Sequence, residues 1–168
     1  VEFSTDVLVE TDVEDVNLVV RSNHQDRPNG FGGYYGFFNF KENLMYFKKE
    51  LTHAIGYSAR LNETKIKFTP NEWHHITMSA KNIVNDVTMP IVDLRISFDG
   101  IVAKELDNGN IKCGTVENSN PYINPAKWCF IRTNRPKEKG TLKKTPGVFY
   151  RGAKLTDITR DYNIISNS

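Results

Sequence analysis

The segment Val92-Asp93-Leu94-Arg95-Ile96-Ser97-Phe98 alternates apolar and polar residues without a break. Successive side chains of a strand point to opposite faces, so this period turns Val92, Leu94, Ile96 and Phe98 toward a core and Asp93, Arg95 and Ser97 away from it. Asp99-Gly100 follows at once, and an Asp-Gly pair accepts the positive φ angles of a two-residue turn. The segment therefore predicts a hairpin into Ile101-Val102, with one face of an antiparallel sheet buried.

The same period recurs along the chain. Residues 7–9, 18–21, 34–40, 44–47, 73–79, 101–106, 128–133 and 153–158 read as further strands. Residues 23–33, 81–90 and 108–127 are rich in turn formers or interrupt the pattern, and read as loops. A turn of helix is expected only within residues 47–54. Many short strands, with neither strand-helix alternation nor an internal repeat, predict an all-β chain folded as an antiparallel β-sandwich of the jelly-roll type. The 168 residues suit one such domain, residues 1–168, and the strand pattern near Val1 reads as an excised domain or a mature chain.

Twenty-two Lys and Arg against 20 Asp and Glu leave a net charge of +2, which does not suggest a nucleic acid partner. No apolar run approaches the roughly 20 residues of a membrane helix, so membrane insertion is not expected. The charge is uneven, acidic around residues 10–15 and basic from 132 to 144. The basic segment 134–146 reads as a solvated loop or as a site for acidic groups.

Several catalytic classes are absent. The chain has no Gly-x-Ser-x-Gly elbow, no phosphate loop with Lys-Ser/Thr and no Cys-x-x-Cys pair. The glycines of residues 30–36 lead into a strand rather than a helix, unlike a dinucleotide fingerprint. His74 and His75 are neighbours in a strand, so they face opposite ways and do not share a metal ion. His75 shares its outward face with Thr77 and reads either as a plain surface histidine or as a hydrogen-bonding ligand contact. Asp6, Glu10, Asp12, Glu14 and Asp15 crowd the first strand and the turn after it, either as a solvated acidic turn or as oxygen ligands for calcium. Cys113 and Cys129 either close a disulfide loop worth about 3 kcal/mol, which suits an oxidising compartment, or remain buried thiols. Asn62-Glu63-Thr64 has the acceptor pattern for N-glycosylation.

Aromatic and planar polar residues stand out most. In strand 128–133, Trp128, Phe130 and Arg132 share one face and Cys129 and Ile131 the other; Asn17, Val19 and Arg21 share a face opposite Leu18 and Val20. An exposed face with Arg, Tyr and Trp offers stacking on sugar C–H surfaces and paired hydrogen bonds to hydroxyls. The other reading is structural, with an Arg stem covering apolar surface and aromatics closing the sandwich edge.

Asn17-Leu18-Val19-Val20-Arg21, followed by Gly33-Tyr34-Tyr35-Gly36-Phe37, resembles a pattern of concanavalin A-like jelly-roll domains. The Trp73 strand and the strand ending in Asp99-Gly100 resemble the pair shared by laminin G-like and lectin-like sandwiches, and residues 130–133 and 149–158 resemble closing strands. Within that group the chain resembles levan-binding-type carbohydrate-binding modules. The chain departs from the pattern in its loop insertions, in its basic segment and in Val20, where an aromatic is usual. The resemblance implies a noncatalytic sugar-binding module of a secreted or surface protein. Arg21, Tyr34 and Tyr35 would lie near the ligand, and a structural calcium near the chain ends would draw on Asp6, Glu10, Asp12 and Asp157. The expected sugar surface is therefore Arg21, Tyr34, Tyr35, His75, Trp128 and Arg132. A laminin G-like adhesion domain with a protein partner, and a sugar-active hydrolase, are the alternatives.

Overall fold

The computed structural model describes residues 1–10, 13–22, 32–50, 60–84, 91–109, 128–134 and 147–158. These residues form ten strands: β1 (Glu2–Val9), β2 (Asp15–Ser22), β3 (Gly33–Asn39), β4 (Leu44–Glu50), β5 (Leu61–Lys65), β6 (Trp73–Val84), β7 (Ile91–Phe98), β8 (Ile101–Asp107), β9 (Trp128–Asn134) and β10 (Val148–Thr156). They pair antiparallel in two sheets of five, a first sheet ordered β10-β1-β6-β7-β8 and a second ordered β5-β4-β3-β2-β9. The chain lays β1 in the first sheet, β2 to β5 in the second, β6 to β8 back in the first, then β9 in the second and β10 in the first. This wound antiparallel order is the all-β jelly-roll sandwich that the strand pattern predicts.

One apolar layer fills the space between the sheets. The first sheet contributes Val7, Val9, Ile76, Met78, Ala80, Val92, Leu94, Ile96 and Phe98, and the second contributes Val16, Leu18, Val20, Phe38, Met45 and Phe47. The alternation from Val92 to Phe98 is obeyed at every apolar position. Phe98 pairs with Ile101, and the turn between them holds Asp99 at φ 46 and Gly100 at φ 85, the two positive values of a tight hairpin. His74 and His75 diverge as expected: His74 is buried and stacks on Phe98 at 4.8 Å, and His75 is exposed. The Asp99 carboxylate ties the turn to β6, meeting His74 Nδ1 at 2.7 Å and accepting the His75 N–H at 2.7 Å.

Three elements differ from expectation, two of them at sheet edges. Strand β5 is an edge strand whose Asn62-Glu63-Thr64-Lys65 run carries no apolar alternation to read. Strand β10 starts at Val148 rather than Ala153, pairs only with β1, and is exposed along most of its length. It carries one extra residue opposite Ser4 to Asp6, where Gly152 takes φ 62. Residues 47–50 are strand rather than helix, and the rest of that expected helical turn lies outside the described residues.

Gly36 sits in the middle of β3, opposite Leu18 on one side and Phe47 on the other. A Cβ at this position would lie 2.6 Å from Ile96 Cγ2 and 2.9 Å from Met78 Sδ, both on the facing sheet. The Ile96 methyl is fixed to a branched Cβ and has little room to turn. Gly36→Ala is therefore expected to lower unfolding stability by about 1–3 kcal/mol, the usual cost of overpacking, as a fall in urea midpoint at constant slope.

Candidate functional site

The outward face of the second sheet carries a concentrated set of planar side chains. Strand register lines up Tyr46, Phe37, Asn17 and Arg132 in one row across β4, β3, β2 and β9, and Lys48, Tyr35, Val19 and Phe130 in the next. Phe37 and Tyr46 stack at 5.0 Å with their planes 9° apart. Tyr35 lies 6.0 Å from Phe37 and meets Phe130 edge-on at 6.5 Å. Two cations cap these rings: Lys48 Nζ lies 4.4 Å from the Phe37 centroid, and the Arg60 guanidinium 4.7 Å from that of Tyr46. Arg60 is also bound by the Glu42 carboxylate.

Polar groups are set among the rings. Asn17 Nδ2 donates to Asp15 Oδ1 at 2.7 Å within a fully buried pair. Asn17 Oδ1 is buried with no hydrogen-bond partner among the described residues. Burial pushes the Glu50 carboxyl above its ordinary range, while the Tyr35 hydroxyl, which donates to it, and the charges of Arg132 and Lys48 pull it back. Burial also pushes the Lys48 ammonium down, and Glu50 opposes this. The rings of Tyr35, Phe37 and Tyr46 are almost fully buried and that of Phe130 half-buried, whereas Arg132 and Arg60 are exposed and form the rim open to solvent.

Of the residues expected at the sugar surface, Tyr35 and Arg132 lie on this face. Trp128 opens β9 opposite Ser22, and its side chain lies outside the described residues. Arg21 does not face outward. The β2–β9 ladder shifts register between Val19 and Ser22, and Arg21 takes φ 53, so Val20 and Arg21 both turn toward the core. Its guanidinium bonds Asn82 Oδ1 at 2.6 Å and the Ala80 carbonyl at 3.1 Å on the facing sheet. Tyr34 also points between the sheets and donates its hydroxyl to Asp107 Oδ2 at 2.7 Å. His75 belongs to the outer face of the first sheet, where Nδ1 meets Asp6 Oδ1 at 2.7 Å and Arg151 Nε donates to Asp6 Oδ2 at 3.0 Å. Five of the six expected sugar residues are therefore divided: Tyr35 and Arg132 lie on the outer face of the second sheet, Arg21 and Tyr34 between the sheets, and His75 on the outer face of the first.

Asp6, Glu10 and Asp157, the described carboxylates among those expected to hold calcium, do not converge. Asp6 is taken up by His75 and Arg151, and Glu10 Oε2 accepts the Gly147 N–H at 2.8 Å. The two are four residues apart on and just beyond β1, about 13 Å at strand rise. Asp157 lies past the Thr156 end of β10, which pairs with Glu2. Asp12 lies outside the described residues, and among those described no three His, Cys, Asp or Glu side chains are placed to hold a metal ion. Cys113 of the expected Cys113–Cys129 disulfide lies outside the described residues, and Cys129 is a free, half-buried thiol packed against the core. Burial pushes its thiol above the ordinary range.

Asn17, Phe37, Tyr46, Lys48, Glu50 and Arg60 complete the face without having been singled out as ligand contacts. Asn17 was legible as facing outward with Val19. The β4 residues were not, because Leu44-Met45-Tyr46-Phe47 is apolar on both faces and hides its period.

No family model matches the chain, and no curated protein does. Among solved structures, the carbohydrate-binding module CBM66 from Bacillus subtilis is similar at 18% identity and a TM-score of 0.46, covering 64% of this chain and 58% of its own. The galectin LEC-6 of Caenorhabditis elegans is similar at 10% identity and a TM-score of 0.40, covering 70% of this chain and 66% of its own. The chain thus spans less than two thirds of the length of either structure.

On the opposite face, the hydrogen bonds from His75 and then Arg151 hold the Asp6 carboxyl below the usual carboxylate range. Their contribution is present above the unfolded carboxyl's pKa of about 3.9 and is lost as the pH falls through the lower folded-state value. Asp6→Asn should therefore be less stable than the parent chain near pH 6, with the gap closing below about pH 4 and narrowing in high salt. Denaturant titrations at several pH values read this out.

Proposed function

We propose that the chain is a noncatalytic carbohydrate-binding domain whose ligand lies on the outward face of the second sheet. The observation that carries this reading is the in-register row Tyr46–Phe37–Asn17–Arg132, in which ring faces stand beside an amide and a guanidinium. A saccharide presents flat C–H faces edged by hydroxyl pairs. Rings match the first, and planar hydrogen-bonding groups match the second.

Asn17 Oδ1 adds a specific demand. A buried acceptor without a partner costs about 1–3 kcal/mol, and a ligand hydroxyl donating to it would recover that cost. Lys48 and Arg60 lie over Phe37 and Tyr46 on long, flexible stems. A sugar face that takes their place on the rings leaves both cations at its edge as hydroxyl donors. Lys48, Arg60 and Arg132 are balanced by Asp15, Glu42 and Glu50, so the face suits a neutral, hydroxyl-rich saccharide better than an acidic one. In this reading the domain holds sugar for a larger secreted or surface protein. The alternative of a protein partner engaged through the loop insertions falls largely outside the described residues.

Glycan-array screening followed by calorimetry tests the proposal. The chain is expected to bind neutral oligosaccharides, with Arg132→Ala and Lys48→Ala each weakening binding tenfold or more, about 1.4 kcal/mol. His75→Ala, on the opposite face, should leave affinity unchanged. No binding to any neutral saccharide, or affinity indifferent to Arg132→Ala, would overturn the assignment.

A further inference from the structure

Tyr34, Lys49 and Asp107 form a closed group at one end of the layer between the sheets. Tyr34 and Lys49 are cross-strand partners on β3 and β4 of the second sheet, and Asp107 ends β8 of the first. All three are fully buried. Lys49 Nζ lies 2.7 Å from Asp107 Oδ2, and the Tyr34 hydroxyl donates to that same oxygen at 2.7 Å. The Gly109 N–H donates to the other oxygen, Oδ1, at 3.0 Å. The sugar-facing side of the second sheet is the opposite one, so the proposed function uses none of these groups.

A primary amine held against a carboxyl, with water excluded and a donor on each carboxyl oxygen, has what amide formation requires. We propose that Lys49 and Asp107 condense into an intramolecular isopeptide bond that joins the two sheets covalently. The ammonium first passes a proton to Oδ2 along the 2.7 Å contact, giving an amine and a carboxylic acid. Away from water a neutral pair avoids the desolvation cost of two separate charges. The Nζ lone pair then forms a C–N bond to Asp107 Cγ, and the carbonyl π electrons move onto Oδ1, where the Gly109 N–H stabilises the negative charge. The Tyr34 phenol gives its proton to the Oδ2 hydroxyl and takes one from Nζ. The Cγ–Oδ2 bond breaks with its electron pair, water departs, and Oδ1 becomes the amide carbonyl. Amine and carboxylic acid are converted to amide and one water, with no change in oxidation state. The fold supplies the proximity that makes such a condensation competitive.

The structural return is at a margin of the sandwich. Strand β8 is an edge of the first sheet, and β4 adjoins the edge strand β5 of the second. A bond from Lys49 to Asp107 prevents these margins from parting and closes a long loop in the unfolded chain, as a disulfide does.

Mass spectrometry of the folded, reduced protein decides the question. The expected result, on purification or after prolonged incubation, is a mass about 18 Da below the sequence value, the loss of one water. Proteolysis should then yield a branched peptide joining Lys49 to Asp107. That peptide should survive mild alkali, which opens a succinimide at Asp99-Gly100 and so separates the two sources of dehydration. Tyr34→Phe, which keeps the ring, should form the bond at least tenfold more slowly, and Lys49→Arg should retain the full mass. A cooperatively folded parent protein that keeps its full mass after incubation, with the Lys49 and Asp107 peptides separate, would overturn the proposal.

Discussion

The two sheets close on each other where Gly36 has no side chain. Ile96 and Met78 of the facing sheet occupy the space that a Cβ would need, so contact at the centre of the sandwich is backbone against side chain rather than side chain against side chain. The register around it follows. With Gly36 opposite Leu18 and Phe47, the neighbouring inward positions are filled by Val16, Val20, Phe38 and Met45, and the outward positions fall to Asn17, Val19, Tyr35, Phe37 and Tyr46. A slip of one residue would place Asn17 and the Asp15 carboxylate in the apolar layer.

That constraint makes the second sheet apolar on its inner side and aromatic on its outer side. Strands β2 and β3 are buried along their whole length, unlike β7, whose Arg95 is exposed. The outer rings keep their apolar character under Lys48 and Arg60, whose stems and charges meet the π faces. The outer face of the first sheet has a different chemistry. There His75, Asp6 and Arg151 bind one another, and Arg151 lies 4.2 Å from the Trp73 ring, so its polar groups are engaged within the sheet.

How much of this was legible varies with position. Central strands with one wet face declare themselves, and the eleven residues from Val92 to Val102 carry the facing, the turn and the partner strand. Margins do not: β5 is polar and β10 exposed, so neither has to alternate. Period-two reasoning failed most clearly at Arg21, because a bulge adds a residue and turns the chain through a positive φ that Arg does not advertise. Tyr34 and Tyr35 show a subtler limit. Adjacent tyrosines must face opposite ways, but only the fold reveals that Tyr34 meets a carboxylate between the sheets while Tyr35 joins the outer rings. Asp6 and Glu10 have separate partners because an extended chain parts what the sequence places close together.

The bulge at Arg21 also sets the size of the outer platform. By turning that side chain inward, β2 stops contributing to the outer face after Val19, so three rows remain, based on Asp15, Asn17 and Val19. At strand rise and strand spacing, three rows across four strands span about 14 Å in each direction. A square of that size accepts a short stretch or an end of a chain molecule. A long polymer lying across it would have to leave the platform on both sides, held by whatever the loops beyond the sheet provide.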